Sequence, residues 1–557
     1  MNQGKLQNDI RINHRGFLTG SPKRFVLVNY EGENLDFSVC VTENVEERVV
    51  FSGKMQRVEE NEEVYFVGDF FELRENGDYH ILAGGKRSRQ FVIYDGAYDI
   101  CKRMLLEYFT YQRCGHALGW AGECHLDDGY IAETGEHVDL SGGYHQSCDL
   151  RKSPGGVSIG VNAMLRFAVK DESAWGKILV RDEAKWALEY FIKTIQQNGA
   201  MYNTLNSPFG WQGRVFYKSP APSSAQWNVT SCLALGYEYF RKKDGEFAKR
   251  CLDTAKRSFD FLMGESRPSG VYTHPDKYPL GMDPDFFYEQ CVKDSTADLC
   301  YQILACADMY RQTDGKEYLE HIKKCLPSVL CEIKDGFVLM RREAKGRTVS
   351  GTCSYSWLMG GLLSLIEAYE LIGDECGLEK KLTDALSELC TFAKKSVWRR
   401  MERTLSLDDI DVVDGHEGKT KREMMGEVSE FNGYFYSPRE QFEPSYACYI
   451  GIFLAKGARA FGNSEYLAQA QAILDQLLGG DELDSSRVRG IGFNSVQHYS
   501  YGQFFPSTPF IPGAVGVGYS AFDTENAGSE YDMPCVGLAM YLISEIERAQ
   551  QNLRPCV

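Results

Sequence analysis

At 557 residues the chain exceeds what one ordinary hydrophobic core supports, so at least two domains are expected. Its 43% hydrophobic and 25% charged residues match soluble globular proteins and exclude a fibrous or disordered chain. The formal net charge of −17 argues against a phosphate-backbone partner, because nucleic-acid binding needs a basic footprint.

In chain order, the opening "MNQGKLQNDIRINHRG" has no apolar run resembling a secretory leader, and no later stretch reads as a membrane span. The 18 cysteines are scattered singly, mostly inside apolar helical patterns, which reads as reduced buried thiols and predicts a cytoplasmic protein. Up to about residue 96, short β-branched and aromatic runs ("KRFVLVNY", "DFSVCVT", "RVVFSG", "EVYFVGDF", "DYHILAG", "RQFVIYD") alternate with Gly, Asn and Glu clusters. That spacing predicts a small antiparallel β-sandwich over 1–96 with no catalytic role.

From Tyr98 the period changes. In "RDEAKWALEYFIKTI", Ala184, Trp186, Ala187, Leu188, Phe191, Ile192 and Ile195 fall essentially on one helical face. The same test predicts helices near 98–113, 155–170, 226–242, 244–264, 293–312, 315–333, 354–372, 375–397, 444–462, 464–479 and 532–550, with almost no strand between them. About twelve helices without a residue-level repeat suit a closed ring of helical hairpins over 97–557, with a superhelical stack as the alternative. Three gaps, 114–154, 398–443 and 480–531, far exceed the median loop of about 4–6 residues, and loops of that length are usually functional or disordered. The first and third are rich in Gly, His and aromatics, a poor composition for disorder.

Several segments, in order, resemble glycoside hydrolase family 9. They are "IRINHRGFLTGSPKRFVLV", "FFELRENGDYHI", "CHLDDGYIAETGEHVDLSGGYHQSCDLRK", "LLGGDELDSSRVRGIGF" and "TENAGSEYDMPCVGLAMYL". The resemblance implies a mostly α protein, an (α/α)6 barrel preceded by an Ig-like β-sandwich. It also implies an inverting hydrolase of β-linked glucan-type or amino-sugar oligosaccharides, cellodextrin-like in size. Inversion needs a protonated carboxyl group on the leaving oxygen and a carboxylate across the sugar that activates water. On the family segment Gly-Gly-Trp-x-Asp-Ala-Gly-Asp, this chain sets Gly142, Gly143 and Tyr144 at the start and Asp149 on the base. The family's other aspartate falls on Gln146, which binds a water without taking its proton. In "TENAGSEY" the acid falls on Glu525, given one extra residue before Tyr531, with Glu530 as a rival.

Tyr144, Gln146, His498, Tyr501 and Tyr531 are the implied sugar contacts. His498 is the one remnant of the family's Pro-His-His-Arg contact, and that loop's arginine is missing. Cys114, Cys124, His125 and His145 match, in order, the two Cys and two His with which a subset of the family binds structural zinc; their spacing alone has the default reading of buried thiols and core histidines. Calcium is a further cation of the family, with no ligands placed here. The partner is an oligosaccharide, with neither nucleic acid nor membrane. Gln146 leaves two alternatives open: a carbohydrate-binding pseudoenzyme, or a phosphorolytic relative in which phosphate replaces activated water.

Overall fold

A computed structural model describes residues 7–553 except 61–62, 118–121, 148–149, 171–176, 207–213, 265–295, 335, 339, 345–346, 352–360, 395–428, 432–433, 437–443, 482–483, 496–510 and 518–529. The N-terminal part is all β. Strands β1 (Ile10–Arg11), β2 (Gly16–Phe17), β3 (Arg24–Leu27), β4 (Asp36–Glu43), β5 (Glu46–Lys54), β6 (Gln56–Glu60), β7 (Glu63–Asp69), β8 (Gly77–Ala83), β9 (Lys86–Arg87) and β10 (Phe91–Ile93) form two sheets. One has the order β1-β3-β7-β6; the other runs β2-β10-β8-β4-β5, with β9 beside β8. Alternation along β3 explains the layering. Phe25 and Leu27 enter the core between the sheets with Phe17, Phe37, Phe70 and Phe91, while Val26 joins Val28 and Tyr65 in a separate cluster. The aromatic rings meet edge-on, Phe25–Phe37 at 5.1 Å and Phe17–Phe70 at 5.5 Å.

Twelve helices of at least twelve residues follow among the described residues. They are α1 (Asp99–Tyr111), α2 (Pro154–Lys170), α3 (Lys177–Thr194), α4 (Ser223–Phe240), α5 (Gly245–Met263), α6 (Thr296–Thr313), α7 (Lys316–Leu330), α8 (Gly361–Ile372), α9 (Leu378–Lys394), α10 (Pro444–Phe461), α11 (Ser464–Leu477) and α12 (Met533–Leu553). The even-numbered helices α2, α4, α6, α8, α10 and α12 pack in sequence, and α12 returns to α2. This closed inner ring, lined outside by the odd-numbered helices, is the (α/α)6 barrel. Inner helices such as α2 and α4 are buried nearly all round, whereas outer α5 buries one face, as their positions require. Closure needs two glycines. A Cβ on Gly160 would stand 2.5 Å from the Met533 carbonyl oxygen, and one on Gly537 would stand 2.3 Å from that of Gly160.

Inner helices run parallel, because starts meet starts and ends meet ends. At one mouth, Ser223 of α4 donates to Asp298 of α6 (2.6 Å). In the opposite half, Arg166 pairs with Asp308 (2.6 Å), Lys456 and Arg311 with Glu367 (2.8 and 2.7 Å), and Lys170 and Arg459 with Glu545 (both 3.3 Å). Burial opposes ionisation of Glu367, yet Lys456, Arg311 and Arg166 hold its carboxyl well below the usual range.

The strand pattern predicted for the sandwich recovers its long strands and misses β1, β2, β6 and β9. Three of these are two residues long and carry no measurable period, and β6 (QRVEE) is a polar edge strand. The barrel also carries more β structure than expected, including a sheet of Tyr130–Ile131, Phe216–Lys218 and Asn203–Asn206.

The sandwich docks on the barrel through buried acids. Asp484 accepts from His14 Nε2 (2.8 Å), the Asn8 amide (2.9 Å) and Arg89 Nε (3.1 Å). Asp475 of α11 accepts from Asn13 Nδ2 and Gln471 Nε2, both at 2.8 Å, and burial pushes its carboxyl up to about 7. The sign follows from the unfolded value near 3.8. Asp475 is protonated in the folded chain and ionised in the unfolded chain between those values, so stability is full below about 4 and falls as pH rises to about 7. Asp475→Asn keeps the accepting oxygen and removes the charge. It is expected to stabilise the protein by on the order of 3 kcal/mol at pH 8 and hardly at all at pH 4.5, read from denaturant melts of both proteins.

Candidate active site and metal centre

The segment Gly142–Lys152 lies at the mouth where the inner helices begin. Its incoming side pairs with the chain leaving α1: the Cys114 amide donates to the Gly143 carbonyl (2.9 Å), the His145 amide donates to the Gln112 carbonyl (2.8 Å), and Arg113 bridges Tyr144. Positive φ at Gly142 (+92°) and Gly143 (+73°) is what lets the backbone turn here, and a Cβ on Gly143 would collide with the Tyr190 ring at 2.6 Å. Trp186 Nε1 adds a bond to the Gly143 carbonyl (2.9 Å). The segment then folds back, with the Gln146 amide on the Arg151 carbonyl (2.7 Å) and a bridge between His145 and Lys152. It is also joined to the last inner helix: the Met533 amide donates to the Gln146 carbonyl (3.0 Å), and Ser147 bridges Asp532.

Asp149, Glu525, His498 and Tyr501 lie outside the described residues. Gln146 is half-buried, its side-chain oxygen against the first turn of α2 near Gly156. Tyr144 and Tyr531 are fully buried. The Tyr144 hydroxyl donates to Glu183 (3.0 Å) and its ring packs on Phe109; the Tyr531 ring packs on Tyr108 at 5.7 Å. Both tyrosines therefore spend their faces on the core in this structure. Beneath the segment lies a pair that the sequence did not single out: Lys152, fully buried, 3.0 Å from Asp128.

Cys114, Cys124, His125 and His145 converge. Their donor atoms lie within 4.8 Å of one another, all four residues are buried, and among the described residues this is the one group with metal-binding geometry. Cys124 and His145 already have suitable protonation, whereas Cys114 would give up its proton on binding. A hydrogen bond from the Cys114 thiol, helped by His125 and His145, lowers Cys124 to about 2, while burial raises Cys114 and lowers His145. Thiolate sulfur and neutral imidazole are the forms that bind a metal. His145 Nε2 stands 3.3 Å from Cys124 Sγ, and Nδ1 of both histidines is buried without a hydrogen-bond partner. Two sulfurs and two imidazoles in a closed, buried tetrad fit a structural metal site with no position left for substrate.

Against known families, the model described as Glycosyl hydrolase family 9 matches residues 98–501, and one described as Cellulase N-terminal ig-like domain matches residues 5–88. The chain belongs to glycosyl hydrolase family 9. It is thus a cellulase-type glycoside hydrolase, as the ordered segments implied. A cellodextrinase from Butyrivibrio fibrisolvens is 24% identical over 527 residues, covering 87% of this chain and 85% of the relative. Endoglucanase D from Acetivibrio thermocellus is 22% identical over 351 residues, 57% of this chain and 53% of the relative. Among solved structures, a single mutant of a thermostable endoglucanase from Alicyclobacillus acidocaldarius superposes with a TM-score of 0.70 at 16% identity, covering 97% of this chain and 99% of that one. A zinc-binding triple mutant of the family 9 endoglucanase J30 superposes with a TM-score of 0.68 at 17% identity, covering 95% and 99%. These likenesses establish the shared family 9 fold.

Proposed function

We propose that this family 9 member is an inverting β-glycosidase that trims short cello-oligosaccharides or similar β-linked chains, with Asp149 as base and Glu525 as acid. One observation carries the proposal. The Gly142–Lys152 segment, which contains Asp149, is hydrogen-bonded to the start of α12, the helix that directly follows the Glu525 segment. That link supports a reading in which two acidic residues far apart in sequence serve one mouth of the barrel. Inverting hydrolysis asks that they stand about 6.5–9.5 Å apart with a water between. Gln146 orients that water through its amide and leaves the proton to Asp149. His498 and Tyr501 are the remaining sugar contacts in this reading, and Tyr144 and Tyr531 act from behind by fixing the backbone.

Short substrates are favoured by the cellodextrinase relative, which is matched over most of its length. Cytoplasmic residence and a domain division at 96/97 belong to the same proposal, as does zinc as the ion of the Cys2His2 tetrad. Zinc there would hold shape without taking part in bond cleavage.

Incubation with cellobiose through cellopentaose, with and without inorganic phosphate, tests the proposal. The expected result is phosphate-independent release of sugars whose first-formed anomer is α, followed by NMR. Sugar phosphate formed solely in the presence of phosphate would overturn hydrolysis in favour of phosphorolysis, and binding without turnover would make the chain a pseudoenzyme.

A further inference from the structure

The Cys/His tetrad holds one side of the loop. His145 anchors the strand that enters it, and no member of the tetrad lies on the strand that leaves it. The leaving strand ends at Lys152, whose side chain is fully buried. Its ammonium donates to Asp128 Oδ2 (3.0 Å) and to the Leu140 carbonyl (2.7 Å), and stands 4.9 Å from the centre of the Tyr190 ring. Thr204 Oγ1 donates to the Lys152 carbonyl (2.8 Å), so side chain and backbone are both fixed. Asp128 is itself rigidly placed. It is 2% exposed, its carbonyl accepts from the Leu140 amide (2.8 Å), and the next residue, Gly129, exchanges both backbone bonds with Val138.

We propose that Lys152 and Asp128 are a positioning pair for the reaction, fixing the register of the strand Leu150–Lys152 that directly follows Asp149 in sequence. The inference rests on the reading of Asp149 as the base. Taking an ammonium and a carboxylate out of water is costly, and an apolar pair of equal volume would fill the same space at lower cost. What an ion pair adds is register. Its hydrogen-bond geometry accepts one placement of Lys152, whereas an apolar side chain tolerates several. In sequence, Asp149 is flanked by two anchored residues, His145 four positions before it and Lys152 three positions after. Because Lys152 bridges His145 and the Arg151 carbonyl accepts from the Gln146 amide, a shift of Lys152 is passed along the segment, and a displacement of about 1 Å at a reacting group costs up to about 100-fold in rate.

The test uses the full-length, metal-loaded protein with Lys152→Met, Asp128→Asn and the double variant. Steady-state kinetics on the oligosaccharide turned over by the parent are combined with metal content and with amide hydrogen exchange over residues 144–152. The expected result is a kcat loss of about 10–100-fold in each single variant, with KM within about twofold. Metal per chain stays unchanged, exchange in the loop becomes faster, and the double variant is no slower than the worse single one, as for two halves of one device. Asp128→Asn keeps the shape of the site, so it decides the matter if Lys152→Met does not fold. A kcat for Asp128→Asn within about threefold of the parent, unchanged loop exchange, or a kcat loss proportional to lost metal would overturn the pair. Failure of the underlying reading is separate: it shows as full activity in Asp149→Asn, whatever the pair does.

Discussion

Asp149→Asn is expected to lower kcat by about 1,000-fold while leaving the melting temperature within a degree or two of the parent. The size follows from general base catalysis, which supplies about 100- to 10,000-fold when a positioned group takes a proton in the transition state. Asparagine keeps the shape and the hydrogen-bonding oxygen of aspartate and loses only the basicity. In family members with two aspartates in this segment, a neighbouring carboxylate could take over part of the task. Here that position is Gln146, an amide, so the segment Gly142–Lys152 contains no second carboxylate. Oligosaccharide release measured over hours sets the residual rate. A kcat within tenfold of the parent would remove Asp149 from the chemistry.

Cys124→Ser is expected to abolish metal binding and to lower the melting temperature by about 5–10 °C. The tetrad lies where the chain leaving α1 meets the Gly142–Lys152 segment, with its donor atoms gathered within 4.8 Å. Serine is a poor substitute because its hydroxyl does not ionise near neutrality, whereas the Cys124 thiol is held ionised by Cys114, His125 and His145. A ligand bound at about 1,000 times its dissociation constant stabilises the fold by about 4 kcal/mol, and each kcal/mol moves the midpoint of a large domain by about 2 °C. Elemental analysis should find about one zinc per chain in the parent and none in the variant. Chelator treatment of the parent should reproduce the shift. A metal-free parent, or a variant melting with the parent, would show the tetrad to be an ordinary cluster of buried thiols and imidazoles.

The architecture was legible because its signals are local. An apolar face like that of Ala184, Leu188 and Phe191 marks an outer helix, a near-continuous apolar run marks an inner one, and helix ends fell within a few residues of those expected except at α8, which is described from Gly361. The Cys/His tetrad became visible through resemblance, since residues 114, 124, 125 and 145 have no zinc-finger spacing and meet only in the folded chain. Tyr144 shows the limit of motif transfer. A pattern locates the residue on the loop, but the side of the loop it faces depends on Phe109 and Glu183, which are distant in sequence. Lys152 and Asp128 went unremarked because "DLRK" and "LDDG" read as solvated turns. Arg166 did leave a trace: a guanidinium inside "AMLRFAVK", on a helix apolar all round, has to find a buried counter-charge.

Those buried charges also bear on how the barrel comes apart. Arg166 of the first inner helix answers to Asp308 of the third and Glu367 of the fourth; Lys170 answers to Glu545 of the sixth. Excising the hairpin that carries one of these partners would strand ions in an apolar interior, at about 3–5 kcal/mol for each broken partner. Half-barrels should therefore have no independent existence, and the helical region should melt in one cooperative step rather than fraying hairpin by hairpin.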